Sequence, residues 1–164
     1  MTRMIAIFFG AGLLRPAPGT WGTAAALPCA WVIHGLFGFP GLLIATILAF
    51  GLGWWATAVE TRGKADHDPS EIVIDEVVGL WIALMPLSAG LWHAGAAPWV
   101  FPWPGWVGAF VLFRLFDIWK PWVIGWADRR GDALGVMLDD VIAGVFAAVL
   151  LAVAAAISHG ILMG

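Results

Sequence analysis

Long apolar runs separated by a few short polar stretches dominate this chain. Every Asp and Glu lies between Glu60 and Asp140, and these acids form two clusters, residues 60–76 and 117–140. Only 12% of the 164 residues are charged, against about 25% in a typical soluble domain. We therefore expect the chain to lie in a membrane, where carboxylates are costly to place and indicate a functional site.

The length suits one domain, residues 1–164, because no polar linker or charged tail divides the chain. The net charge is -3 and no basic stripe is present, which argues against a nucleic-acid partner. Cys29 is the single cysteine, so it cannot form an intrachain disulfide.

Five segments are apolar enough to be candidate membrane helices: residues 21–39, 41–59, 77–91, 106–119 and 141–158. Gly38, Pro40 and Gly41 separate the first two and predict a hairpin. The sequence thus predicts a compact helical membrane bundle of about five embedded helices.

Lys and Arg predict the orientation of this bundle, because they accumulate on the cytoplasmic side of membrane proteins. They occur before the first segment, between the second and third, and between the fourth and fifth; the other loops have none. This places the N-terminus inside, the C-terminus outside, and both acidic clusters at the cytoplasmic end.

The first polar motif, residues 18–23, precedes and enters the first apolar segment. A helix start offers free N–H groups to an anion, and glycines allow close backbone approach. The phosphate-binding candidates are Gly19, Thr20, Gly22 and Thr23. A simple helix cap after a tight turn would use the same residues, and this reading stays open.

The second motif, residues 66–76, ends in Asp75 and Glu76 at the start of the third segment. These acids could merely compensate the helix dipole, but two adjacent carboxylates cannot both face lipid. His67 is a candidate general acid or base, with a metal ligand and a plain loop residue as alternatives.

The third motif contains Arg114, Asp117 and Lys120, which are three residues apart and should share one helical face. They could form an ion-pair ladder. Alternatively, Asp117 is a metal ligand flanked by two cations that bind phosphate oxygens.

The fourth motif places Asp139 and Asp140 at the predicted start of the last segment. A bundle would gather all four motifs at one end, where crowded carboxylates repel one another unless a cation neutralises them. An all-oxygen ligand set is typical of Mg²⁺ sites. The predicted Mg²⁺ ligands are Asp75, Glu76, Asp117, Asp139 and Asp140, and the predicted catalytic residues are Asp75, Asp117, Asp139, Asp140 and His67.

The sequence lacks the Cys-x5-Arg loop of cysteine-nucleophile phosphatases and the spaced Lys, Arg and His sets of histidine-nucleophile lipid phosphatases. Direct attack by a metal-activated water is therefore favoured over a phosphoenzyme. His34, His93 and His159 map away from the acids and are predicted to be structural.

Taken in order, the strings at residues 17–23, 72–79, 113–121 and 135–140 resemble the phosphatidylglycerophosphatase A family. The resemblance covers about residues 10–144. It implies an all-helical enzyme of the bacterial inner membrane that removes the terminal phosphate of phosphatidylglycerol phosphate with Mg²⁺, giving phosphatidylglycerol. Asp66-His67 and Asp128-Arg129 correspond to an Asp-His and an Asp-Arg pair of that family, and the roles of Asp68 and Glu71 stay open.

Two other functions use similar residues. A divalent-cation or proton-coupled transporter would need ionisable groups near the middle of the membrane, whereas the predicted segments have almost no charge in their interiors. A CDP-alcohol phosphotransferase would need acids spaced by threes and fours after an Asp-Gly, and this pattern is missing from the sequence.

Overall fold

A computed structural model of the chain describes residues 1–64, 66 and 68–163, with side chains through Ser158. All the regular elements in these residues are helical, as predicted. A 3₁₀ helix, Phe8–Leu13, follows the first α-helix. The α-helices are α1 Thr2–Ala6, α2 Pro18–Glu60, α3 Ile74–Ala83, α4 Met85–His93, α5 Trp103–Trp119, α6 Val123–Asp128 and α7 Ala133–Met163.

Helix α2 reverses direction at Gly38, where the predicted hairpin falls. Gly38 has φ 64° and ψ −161°, a conformation that a side chain would disfavour. Both arms return to the start of α3: a Cβ on Gly22 would lie 2.6 Å from Val73 Cβ, and one on Gly53 would lie 2.9 Å from Ile74 Cγ1. The long helix is therefore two packed arms, and both of its ends lie beside α3.

The predicted count of five membrane helices is wrong for the described residues. Two helices, Pro18–Glu60 and Ala133–Ser158, are long and apolar enough to cross a membrane. A third span is possible if α3 and α4, which meet at an angle of 42°, act together. The predicted segments 21–39 and 41–59 correspond to the two arms of α2, which meet at Gly38, and the predicted 77–91 is broken at Leu84. The predicted 106–119 lies in α5, which has 17 residues and includes Arg114 and Asp117.

Helices α3 and α7 approach closely because glycines face each other at their crossing. A Cβ on Gly144 would lie 2.3 Å from the carbonyl oxygen of Gly79, and one on Gly79 would lie 2.7 Å from that of Asp140. Small residues allow this kind of backbone contact between membrane helices. The crossing places Asp140 next to the first turn of α3, where Asp75 and Glu76 lie.

Helix α7 begins at Ala133, two turns before the predicted start at Val141. Asp132 caps this end: its Oδ1 accepts a hydrogen bond from the N–H of Gly135 at 2.7 Å. Asp139 and Asp140 therefore lie inside the helix rather than at its start. Compensation of the helix dipole, which acts within the first turn, does not account for them.

The N-terminal helix holds the connection between α2 and α3. Thr2 Oγ1 donates a hydrogen bond to Glu60 Oε1 at 2.6 Å, and Arg3 pairs with Glu71 at 3.2 Å. The N–H of Val73 donates to the carbonyl oxygen of Ala6 at 2.9 Å. These contacts fix the entry into α3 and hence the position of its two acids.

Candidate active site

One polar cavity of about 340 Å³ lies where the starts of α2 and α3, the end of α5 and the first turns of α7 meet. All four sequence motifs contribute to its wall. The lining residues are Ala17, Pro18, Gly19, Thr20, Asp68, Ser70, Ile72, Asp75, Glu76, Arg114, Asp117, Ile118, Lys120, Asp139 and Asp140. The structure thus brings all five predicted metal ligands to one pocket.

Three of these acids form a tight group. Asp75, Glu76 and Asp140 each offer a carboxylate oxygen, and these oxygens lie within 4.8 Å of one another, an arrangement that could hold a metal ion. Asp75 and Asp140 are buried, and the side chain of Glu76 is only 14% exposed. Like charges at such separations in a poorly solvated site repel one another strongly, so the group must be neutralised by a cation or by bound protons.

Two oxygens of this group have no hydrogen-bond partner. Glu76 Oε2 and Asp140 Oδ1 are buried and unpaired in the described part of the chain. Leaving a buried carboxylate oxygen unpaired is costly, so such atoms usually mark a missing ligand. The donor set contains only carboxylates, which fits a hard divalent cation.

Asp139 lies in the same pocket but both of its oxygens are occupied. Oδ2 accepts a hydrogen bond from Lys120 Nζ at 2.6 Å, and Oδ1 accepts one from the N–H of Asp140 at 3.0 Å. Asp75 Oδ1 likewise accepts a hydrogen bond from the N–H of Glu76 at 3.0 Å. Asp139 is therefore held in place, whereas Asp140 keeps a free oxygen.

Lys120 does not share a face with Arg114 and Asp117, contrary to the prediction. Helix α5 ends at Trp119, and Lys120 has left-handed backbone angles (φ 45°, ψ 53°) that turn its side chain toward Asp128 and Asp139. Burial alone would lower the pKa of Lys120, but its hydrogen bonds to these two carboxylates raise the pKa above its ordinary value. Lys120 is thus a permanent cation at the edge of the pocket.

Arg114 and Asp117 do share a face of α5 and form an ion pair. The Nη1 atom of Arg114 also lies 4.0 Å from Glu76 Oε1. Its Nε atom is buried and has no partner in the described residues. The guanidinium therefore retains an unused donor, which could donate a hydrogen bond to an anionic ligand in the cavity.

The first turn of α2 borders the cavity through Gly19 and Thr20. The helix has Pro18 in its first turn and no side-chain cap, so its first N–H groups are unpaired by side chains. A Cβ on Gly19 would lie 2.3 Å from Glu76 Oε1. A side chain at position 19 would therefore require the Glu76 carboxylate to move.

Gly22 and Thr23, also predicted to bind phosphate, do not line the cavity. Gly22 packs against Val73, and Thr23 is fully buried with its hydroxyl donating to the carbonyl oxygen of Gly19 at 2.7 Å. The contacts of Gly22 and Thr23 indicate a structural role rather than the predicted phosphate binding. Thr23 lies one turn beyond Gly19 on the same side of α2, so its burial farther along the helix, not its helical phase, removes it from the cavity wall.

Other candidates fall at or beyond the pocket. His67 lies outside the described residues, so its predicted catalytic role stays a prediction. Asp68, whose role the sequence left open, and Ser70 line the cavity. Asp128 pairs with Lys120. That contact was missed because it depends on the left-handed turn at Lys120.

The chain is similar to known lipid phosphatases. A family model described as Phosphatidylglycerophosphatase A matches residues 4–155. Proteins of that name from Haemophilus influenzae and Escherichia coli are 36% and 35% identical over 148 and 150 residues; each match covers 90% of this chain and 84% or 80% of the relative. A Bacteroides thetaiotaomicron protein with the provisional name phosphatidylinositol-3-phosphatase is 37% identical over 158 residues, covering 92% of this chain and 91% of the relative. No solved structure matches the chain significantly.

Proposed function

Because the chain belongs to the phosphatidylglycerophosphatase A family, we propose that it hydrolyses the terminal phosphate of phosphatidylglycerol phosphate. The products are phosphatidylglycerol and inorganic phosphate, which places the reaction in glycerophospholipid synthesis. The family and both relatives of that name support a membrane lipid phosphatase. The single observation that carries the proposed mechanism is the group formed by Asp75, Glu76 and Asp140, with its two unpaired oxygens.

The residues of this group fit Mg²⁺, because all the donors are carboxylate oxygens and two of them have no partner among the residues that the structure describes. Asp75, Glu76 and Asp140 would hold the ion. When bound, Mg²⁺ supplies charge neutralisation and an activated water for attack on phosphorus. Asp117 and Asp139 lie in the same cavity, and their ion pairs with Arg114 and Lys120 keep them in fixed orientations beside it.

The phosphate of the substrate is proposed to bind between Arg114 and the first turn of α2. Arg114 has a buried Nε donor with no partner in the described part of the chain, and the uncapped N–H groups of α2 favour an anion. Thr20 adds a hydroxyl at the cavity wall. The positive charge of Lys120 lies farther along the same wall and is shared with Asp128 and Asp139, so it lowers the repulsion between phosphate and carboxylates.

A transporter is disfavoured by the same arrangement. The acids gather in one cavity formed by helix starts and helix ends, whereas a transporter needs a site near the middle of the bundle. Membership of the phosphatase family gives this alternative no support.

We further propose that the protein lies in the bacterial inner membrane with the cavity facing the cytoplasm. Arg62, Lys64, Arg129 and Arg130 lie in connections that adjoin the cavity, as the charge bias of cytoplasmic loops requires. An Asp132→Cys variant in a Cys29→Ser background should react with an impermeant thiol reagent in inverted vesicles and not in intact cells. Labelling from the outside of intact cells would overturn this orientation.

Phosphate release by the purified protein in detergent micelles tests the proposed activity. We expect Mg²⁺-dependent hydrolysis of phosphatidylglycerol phosphate that is abolished by EDTA and by Asp140→Asn. Phosphatidylinositol 3-phosphate belongs in the same assay, because one relative has a provisional name that refers to it. If the protein hydrolysed the phosphoinositide but not phosphatidylglycerol phosphate, the proposed substrate would be wrong.

A further inference from the structure

An apolar groove lies between α2 and the first turn of α5, on the side of the bundle away from the N-terminal helix. Its cavity volume is about 450 Å³. The lining side chains are all apolar: Ala24, Leu27, Pro28, Trp31, Phe101 and Trp106. These six residues are called the α2–α5 groove below.

The α2–α5 groove and the active-site cavity have no lining residue in common, but they follow one another along the same two helices. On α2, Thr20 lines the cavity and Ala24, one turn later, lines the groove. Residues 20, 24, 27 and 31 fall on one face of the helix at 3.6 residues per turn. On α5, Asp117 in the cavity and Trp106 in the groove are three turns apart on one face.

The two helices are also close together at the polar end of this path. A Cβ on Gly19 would lie 3.2 Å from Arg114 Nη1, so the start of α2 contacts the last turns of α5 directly. The two helices that line the groove are therefore also the two that meet at Arg114. From Thr20 to Trp31 the path is ~16 Å long, at 1.5 Å per residue.

The far end of the groove is built from fixed side chains. Trp31 Nε1 donates a hydrogen bond to the carbonyl oxygen of Trp99 at 3.1 Å, and the two indole rings pack edge to face with centroids 5.4 Å apart. The ring of Phe101 lies 5.4 Å from that of His34. These contacts give the groove a definite wall rather than a loose lipid-facing surface.

We propose that the α2–α5 groove binds one fatty acyl chain of the lipid whose terminal phosphate binds at Arg114. This inference rests on the proposed function. A phosphorylated phospholipid has its phosphate at one end and its acyl chains at the other. Along α2 and α5 the polar cavity is likewise followed by the apolar groove. The length of the path lets the glycerol units span the region between Thr20 and Leu27 while the chain lies against Trp31 and Trp106.

A second apolar cavity of about 720 Å³ offers a natural comparison. It is lined by the 3₁₀ helix, an adjacent face of α2 and Trp81, and none of its lining residues comes from α5. Pro28, at the border of the two faces, lines both this cavity and the α2–α5 groove. The α2–α5 groove, by contrast, is lined by Trp106 of α5, the helix that carries Arg114. We therefore assign the acyl chain to the α2–α5 groove.

Adjacent alanines of α2 provide a matched test. Ala24 lines the α2–α5 groove, Ala25 lines the second cavity, and both are partly buried. Ala24→Phe should raise KM for a dipalmitoyl substrate about tenfold by displacing acyl contacts, with kcat unchanged and a dibutyryl substrate unaffected. Ala25→Phe should leave all these values unchanged. An unchanged KM in Ala24→Phe, or an equal loss for both substrates, would overturn the proposal.

Cross-linking tests the groove independently of turnover. The wild-type protein is photolysed with a phosphatidylglycerol analogue that carries a diazirine on one acyl chain, and the labelled peptides are mapped. Labelling at Leu27, Trp31 or Trp106 that excess unlabelled phosphatidylglycerol removes supports the groove. Uniform labelling over the apolar surface, or labelling confined to the second cavity, contradicts it. If the wild-type protein released no phosphate, the proposed function would be contradicted. The labelling result would still show whether the groove binds an acyl chain.

Discussion

Two buried polar clusters of this bundle differ in how well their atoms are satisfied. His34 on α2 and Ser88 on α4 are joined by a 2.8 Å hydrogen bond between Nδ1 and Oγ, and both are almost fully buried. The acids Asp75, Glu76 and Asp140 are equally enclosed, yet two of their oxygens have no partner among the described residues.

The difference separates structure from function better than burial alone. A polar pair that satisfies itself stabilises helix packing and requires nothing further. A carboxylate group with unpaired oxygens would destabilise the protein unless it binds a cation. The first cluster lies near the reversal of α2, and the second at the helix ends that form the polar cavity.

Removing one carboxylate of the second cluster is expected to have the largest effect. Asp140→Asn and Glu76→Gln each delete a charge at an unpaired oxygen, so cation binding should weaken and turnover should fall about 100-fold or more. Steady-state phosphate release at limiting and saturating Mg²⁺ measures this loss, with the melting temperature as a folding check. Near-normal activity of both variants at limiting Mg²⁺ would remove these acids from the metal site.

The second-largest loss of activity is expected for variants of Arg114. This residue pairs with Asp117, and its Nε donor has no partner among the described residues. Arg114→Lys keeps the charge but loses the planar pair of donors, so it should lose activity about as much as Arg114→Ala, by roughly 10- to 100-fold. The two variants are compared by kcat/KM. A fully active Lys variant would show that only the charge at position 114 is needed, and that phosphate does not depend on the planar pair of donors.

Gly19→Ala tests the close approach of α2 to the acids. The added methyl would lie 2.3 Å from Glu76 Oε1, so this carboxylate must shift. Overpacking of this size costs about 1–3 kcal/mol, and we expect activity to fall about tenfold. Gly51→Ala, on the same helix with no atom within 4 Å of the new methyl, is the matched control. Equal activity of the two variants would mean that Gly19 is not required beside Glu76.

The smallest effect is expected in the satisfied cluster. Ser88→Ala removes the partner of His34 and should lower the free energy of unfolding by about 1–2 kcal/mol without changing kcat or KM. Thermal unfolding in detergent and phosphate release measure the two quantities separately. A large loss of activity at unchanged stability would show that the His34–Ser88 pair is not purely structural.

Much of the fold was predictable from local signals in the sequence. Glycine and proline between two apolar runs predicted the reversal at Gly38, and the distribution of charge predicted that four motifs meet at one end of the bundle. The helix count was predicted wrongly from the same kind of signal. Pro86, in the first turn of α4, marks the bend at Leu84, but residues 77–91 were interpreted as one segment. Asp132 caps α7 two turns before the apolar segment begins.

The chemistry within the site depended on geometry that sequence spacing does not determine. Lys120 is three residues from Asp117, but its left-handed turn directs it to Asp139 and Asp128 instead. Which acids keep free oxygens follows from such contacts, and from the glycine crossing of α3 and α7. Five acids were therefore predicted as equal ligands, whereas three form the tight group.

Equilibrium binding of Mn²⁺, as a spectroscopic stand-in for Mg²⁺, tests the central claim most directly. Free Mn²⁺ is measured by electron paramagnetic resonance with the purified protein in detergent, for the wild type, Asp140→Asn, Glu76→Gln and the control Ser88→Ala. The wild type and Ser88→Ala should bind Mn²⁺ saturably and release it to Mg²⁺, while both carboxylate variants should bind at least about tenfold more weakly. Equal binding by all four proteins, or no binding by the wild type, would contradict a metal site at Asp75, Glu76 and Asp140.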